Sequence, residues 1–225
     1  MRMRQVSLVA ATIVGLLLLP GCSHPDKQNV KVENYSVDSA ITALVIKGQV
    51  GDIVVTGAAG AVEVVEHQSY REKAPVTSHL SDNGRLTLGY ACSAADCGVS
   101  YDVRVPTGTL VTISEDVGNV DVRGVSGDVD VSDQTGNITG RELRAQQVKL
   151  RVETGQLDAG FSSAPRSLDA RVNIGNVTVT VPKGESYAVQ AAAGIGDVHV
   201  GVDRDATSSH SLWATTSTGD VRIKT

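Results

Sequence analysis

Aromatic side chains are nearly missing from this chain: its 225 residues hold one Trp, one Phe and five Tyr. A core of large rings is therefore excluded. A hydrophobic fraction of 41% must instead be built from Val, Leu, Ile and Ala, small and β-branched side chains that suit thin, stacked sheets. Basic clusters are missing too. A formal net charge of −5 with no Lys/Arg cluster argues against nucleic acid as a partner, because phosphate binding needs a basic footprint. Nothing sustained reads as a helix beyond the extreme N-terminus, and no nucleophile-elbow, zinc-helix or phosphate-loop pattern occurs.

What the chain does have is 23 Gly, seven of which share one pattern. Gly51, Gly118, Gly136, Gly155, Gly175, Gly196 and Gly219 are each followed by Asp, Asn or Gln and then an apolar residue. Seven residues before the glycine stand Leu44, Val111, Val129, Val148, Leu168, Val189 and Leu212, and five before it Ile46, Ile113, Val131, Leu150, Ala170, Ala191 and Ala214. Two residues after it come Ile53, Val120, Ile138, Leu157, Val177, Val198 and Val221. Period-two alternation on both sides of a turn makes each unit two short half-buried strands joined at a bend. Gly supplies the bend, and Asp or Asn follows because its side chain hydrogen-bonds turn backbone.

From Gly118 onward the glycines recur about every 20 residues, a repeat length that marks solenoids. One unit cannot bury its own apolar face, but stacking at about 4.8 Å does so, and six rungs make a stack roughly 25 to 30 Å long. The extra residues of the later units fall at Pro165, at Pro182 to Gly184 and at Asp203 to Ser209, so loops grow on one edge while the core register holds. A meander of antiparallel hairpins is the competing architecture, although hairpin turns prefer Gly in the second position. The expected fold is all-β: a stacked-rung, β-helix-like solenoid with a less regular N-terminal β segment.

The N-terminus reads as an address. Arg2 and Arg4 precede an apolar run, Val6 to Leu19, of signal-peptide length and too short for a comfortable membrane span. Leu19-Pro20-Gly21-Cys22 resembles a bacterial lipobox, which implies lipid attachment at Cys22 and more than one acyl chain holding the protein to a membrane. The expected organisation is a lipoprotein signal peptide over 1–21, a lipidated N-terminus and tether over 22–39, and one β-repeat domain over 40–225, most regular from residue 111. Cys92 and Cys97 remain, in a small, turn-rich segment of an exported domain, and predict a disulfide that pins a loop. A metal site is the alternative for this pair, but no His or second Cys pair lies near it in the sequence.

Residues 61–110 follow a looser pattern. Val62 to Glu66, Arg85 to Gly89 and Tyr101 to Val105 alternate as strands, and Ser69 to Gly84 reads as a loop. This segment is expected to start the solenoid and cover its open end, since an uncapped rung is a sticky edge. With the export signal, the opening unit Leu44 to Val55, a strand ending in Val105-Pro106 and the serial glycine rungs all present, residues 40–225 resemble the bacterial β-strand-repeat family of unknown function labelled "putative adhesins". The resemblance implies surface adhesion and brings no catalytic or binding residues with it.

Two functions of different class follow. The first is a non-catalytic, lipid-anchored envelope solenoid whose β surface serves adhesion, binding to an envelope protein or wall polymer, or a structural role, with no cofactor and no metal. The second is a polysaccharide-active enzyme of β-helix type. For the enzyme, the outward column three residues after each glycine offers Asp121, Thr139, Asp158, Thr178 and His199. Its acids lie two rungs or about 9.6 Å apart, far for a retaining pair and at the limit for an inverting one. Six residues before the glycine, Asp130, Lys149 and Asp169 are expected to stack as acid, base, acid. The Asp/Asn column after the glycine, Asp52 to Asp220, invites calcium, but an Asn ladder accounts for it more simply. Trp213, in the outward column of the last unit, is expected to cover the open end of the stack, with glycan or partner contact as the alternative. The five His are scattered and suggest no site.

Overall fold

The computed structural model describes residues 28–38 and 40–225. In chain order the strands are β1 (Asn29–Val37), β2 (Ala43–Lys47), β3 (Ile53–Ala58), β4 (Val62–Tyr70), β5 (Val76–Asp82), β6 (Arg85–Ala91), β7 (Cys97–Pro106), β8 (Leu110–Val117), β9 (Val120–Arg123) and β10 (Val129–Thr135). They continue with β11 (Ile138–Leu143), β12 (Gln147–Thr154), β13 (Leu157–Phe161), β14 (Ser167–Ile174), β15 (Val177–Thr180), β16 (Ser186–Ile195), β17 (Val198–Gly201), β18 (Asp203–Arg204), β19 (Ser211–Thr218) and β20 (Val221–Lys224). Lipid attachment at Cys22 and the signal peptide over 1–21 lie outside the described residues.

The fold is an all-β solenoid of two facing ten-stranded sheets. Each glycine bend passes the chain from a strand of the pre-bend sheet to a strand of the post-bend sheet. The repeat strands pair in parallel and in register, Val129 opposite Val111 and Val148, Leu157 opposite Ile138 and Val177, which rules out the hairpin meander. Antiparallel pairing among the described residues is confined to β1–β4, β4–β7 and β5–β6. The apolar columns interdigitate between the sheets: Leu44, Ile46, Val111, Ile113, Val131, Leu150, Leu157, Leu168 and Val177 are all 0–1% exposed. Each such side chain contributes roughly 1.5–3 kcal/mol by leaving water. Val125, Leu143, Ala145, Phe161 and Val181 close the far corner and are also buried.

Stack order departs from chain order at both ends. The strands β6 and β7 form an eighth rung beside β2–β3, turned at the Cys92–Cys97 loop rather than at a glycine of the repeat. At the other end the last unit in sequence, β19–β20, inserts between β14–β15 and β16–β17. Leu212, Ala214, Val221 and Ile223 are therefore buried, while β16–β17 is left at the edge with Ile195 and Val198 exposed. Identical offsets in every unit fix the register within a rung but not which rung becomes its neighbour. Eight rungs give seven spacings, about 34 Å.

Two stretches read as irregular are strands. Asn29–Val37, expected within the tether, is β1, an edge strand whose alternate residues pack against β4. Val76–Asp82, inside the expected loop 69–84, is β5 and pairs with β6. Both are mostly exposed edge strands, so they lack the apolar alternation that marks half-buried ones.

Candidate functional site

The bends themselves are built as scaffold. Asn119 donates its backbone N–H and its side-chain N–H to Asp52 Oδ1 (2.8 and 3.0 Å), and Asn137 does the same to Asn119 Oδ1 (3.2 and 3.0 Å). The backbone N–H of Gln156 then reaches Asn137 Oδ1 at 2.8 Å, that of Asn176 reaches Gln156 Oε1 at 3.3 Å, that of Asp220 reaches Asn176 Oδ1 at 2.7 Å and that of Asp197 reaches Asp220 Oδ1 at 2.9 Å. One oxygen per rung is thus held by the next rung's N–H, as an Asn ladder requires.

The outward face of the pre-bend sheet is where shape appears. A groove of about 530 Å³ runs over β12, β14, β19 and β16, with Ala206 of the 205–209 loop on its rim. Its floor carries Lys149, Asp169, Trp213 and Gln190, which are register neighbours in that spatial order. A smaller hollow of about 220 Å³ continues it toward Leu110, Asp128 and Asp130, sharing Gln147 and Lys149. The strands put these side chains outward because the flanking residues, Val148 and Leu150, Leu168 and Ala170, Leu212 and Ala214, are drawn into the core.

Trp213 does not cover the end of the stack. Its rung is the penultimate one, and the indole is 42% exposed at the groove. The Arg171 guanidinium lies 5.0 Å from the ring centroid, a cation–π distance. Arg171 is itself held by Asp169, Nε to Oδ1 at 2.7 Å and a terminal nitrogen to Oδ2 at 3.0 Å. Asp130, Lys149 and Asp169 stack in register on neighbouring rungs as expected, acid, base, acid, but the close ion pairs run diagonally: Arg151 reaches Asp130 at 3.4 Å and Asp169 at 3.9 Å, and Lys149 has no ion pair among the described residues. Guanidinium geometry explains this choice of partner, since a planar fork two residues along the strand matches a carboxylate better than a point charge beside it.

No pair of free acids converges in the groove. Asp169 is tied by arginine, and Asp128 accepts from the backbone N–H and Nε2 of Gln147 at 3.1 and 3.2 Å. In the opposite outward column Asp121 is paired with Arg141 at 2.7 Å. Arg222 intervenes between Thr178 and His199, which removes the imidazole further from Asp158 than chain order implied. Cys92 and Cys97 form a disulfide with their Cα atoms 5.8 Å apart. Beside that loop the Tyr90 hydroxyl bonds both backbone groups of Val50, at 2.5 and 2.9 Å.

Two carboxylates lie inside the stack, where none was expected. Glu115 and Asp133, 1% and 3% exposed, occupy the inward column three residues before the glycine. Neither oxygen of Glu115 has a hydrogen-bond partner, nor does Asp133 Oδ2, while Asp133 Oδ1 accepts from the Thr135 N–H at 3.2 Å. Burial foremost, with Asp133 and Asp116 nearby, pushes the Glu115 carboxyl up to about 8, and burial lifts Asp133 to about 6. Extending the period-two pattern one step beyond the apolar columns would have found both. At the capped end, buried Glu66 accepts from the Tyr35 hydroxyl at 2.7 Å and from Gln68 Nε2 at 3.4 Å.

Comparison with known proteins places this architecture among relatives. The family described as Toastrack DUF4097 matches residues 26–225. The chain resembles the crystal structure of a putative cell adhesion protein from Clostridium sporogenes, at 14% identity and a TM-score of 0.52, over 87% of this chain and 99% of that one. It resembles a putative adhesin from Bacteroides fragilis equally, at 14% identity and 0.52, over 88% and 98%. At these identities the likeness concerns the fold. No curated protein matches the chain in sequence.

Proposed function

The chain belongs to the Toastrack DUF4097 family, and from that membership we propose that it is a non-catalytic binding module of the bacterial cell envelope. It is anchored to a membrane through lipid on Cys22 and meets an envelope partner with the outer face of its pre-bend sheet. One observation carries this reading: the groove on that face exposes an indole while each of its carboxylates is already held by a donor. A hydrolase needs the reverse, two acids free to exchange protons and nucleophile roles.

Position supports it. From Cys22 to the start of β1 at Asn29 is seven residues, at most about 25 Å of extended chain, so the end bearing β1 and β4 stays near the membrane. Trp213 sits in the seventh of eight rungs, at the far end, where a partner beyond the membrane is met first.

The test pairs fatty-acid labelling of the protein in cells with a reducing-end assay on insoluble wall polysaccharide. The expected result is label lost in Cys22→Ala, and polymer bound without release of new reducing ends. Release of reducing ends would restore the enzyme.

A further inference from the structure

Resting on that binding reading, we propose that the Trp213 groove is a saccharide subsite: the indole receives the apolar face of a pyranose ring, and Gln190 with the Asp169–Arg171 pair receives its hydroxyls. The backbone limits what can bind here. The strands β12, β14 and β19 are paired on both sides, so this part of the groove presents no free ladder of N–H and C=O groups. A peptide cannot add as a strand over these three, and a ligand lying on them is read through side chains alone.

Those side chains match the two-sided chemistry of a sugar. Trp213 is the one exposed side chain among the Trp, Tyr and Phe of the described residues, and it is flanked by an amide, a carboxylate and a guanidinium at single-rung spacing. Arg171 packs at the ring and is fixed by two bonds to Asp169, so the platform is ordered before a ligand arrives and little side-chain freedom remains to be lost. The volume, about 530 Å³, lies within the range of small-molecule sites.

Direction and charge follow from the rungs. Lys149 stands two rungs from Trp213, about 9.6 Å along the stack, and has no ion pair among the described residues. A polymer lying along the stack axis with one ring on the indole places a neighbouring unit at Lys149, so a saccharide carrying a carboxylate there binds more tightly than a neutral one.

With a single Trp in the chain, intrinsic fluorescence reports this site alone. Chitotetraose and tetragalacturonate are titrated into the mature protein, with calorimetry on Trp213→Ala and Lys149→Ala. Both sugars are expected to shift the emission to the blue and protect the indole from acrylamide, at a Kd on the order of 1 mM or tighter. Trp213→Ala, an outward substitution with thermal unfolding unchanged, is expected to abolish the binding heat, and Lys149→Ala to remove a several-fold, salt-sensitive advantage of tetragalacturonate. Silence toward both sugars, or a response only to a wall stem peptide, overturns the saccharide subsite. If the parent still pellets with purified wall sacculi and Trp213→Ala does not, the binding face stands without it; if neither pellets, both fail.

Discussion

Glu115 and Asp133 stand opposite each other on adjacent rungs of the pre-bend sheet, both inside the core and both short of hydrogen-bond partners. Room for the Glu115 carboxylate comes from Gly48, where a Cβ would collide with its Oε2. The folded chain therefore prefers these acids protonated, against the ordinary preference of the unfolded chain. In the window between the ordinary carboxylate range and about 8 for Glu115, and about 6 for Asp133, the native state binds more protons than the unfolded one. Stability must fall as pH rises through that window.

The loss for Glu115 is on the order of 4 kcal/mol between pH 4.5 and 8. Unfolding free energies from urea titrations at pH 5 and pH 8.5 should differ by that order, with the lower pH more stable. Glu115→Gln should flatten most of the dependence and raise stability at pH 8.5.

Gly155 has φ +146, and a Cβ there would strike the carbonyl oxygen of Gly136 on the rung below. Gly155→Ala is expected to cost about 2–4 kcal/mol through left-handed strain and the displaced ladder. Gly108, without a positive φ and with open space around it, is the control, and Gly108→Ala should change stability by less than about 0.5 kcal/mol.

Asn137 links Asn119 to Gln156 in the bend ladder. Asn137→Ala should lower stability by about 1 kcal/mol per lost net hydrogen bond. The melting temperature of the parent should be unmoved by EDTA; a large drop would assign the column to a cation.

The Cys92–Cys97 ring is short, and by loop entropy its reduction costs about 2 kcal/mol. Hydrogen exchange after reduction should quicken around residues 89–99 and leave β12 and β14 unchanged.

Much of the fold was legible because the apolar columns repeat at fixed offsets, and period two is enough to place Leu44, Val120 or Ile223 inward. The bend ladder was legible for the same reason. Trp213 was misplaced because the last unit in sequence is not the last in the stack, a fact of the return from β17 to β19 that no offset encodes. The β6–β7 rung was missed as a rung because a disulfide loop replaces the glycine bend. Glu115 and Asp133 escaped notice because their residue types deny the position their spacing assigns. The groove floor was legible as a column, since Lys149, Asp169 and Trp213 share the outward position six residues before the glycine, but its order was not, because β19 lies between β14 and β16 only by that altered rung order.

The central claim is that the protein binds through the outer face around Trp213. A photo-crosslinking amino acid placed at Gln190, beside the indole, and separately at Thr178, on the outward face of the post-bend sheet, tests it in intact cells. The account predicts that the Gln190 derivative crosslinks to envelope polymer and the Thr178 derivative does not. Crosslinking from Thr178 alone, or equally from both, would contradict it.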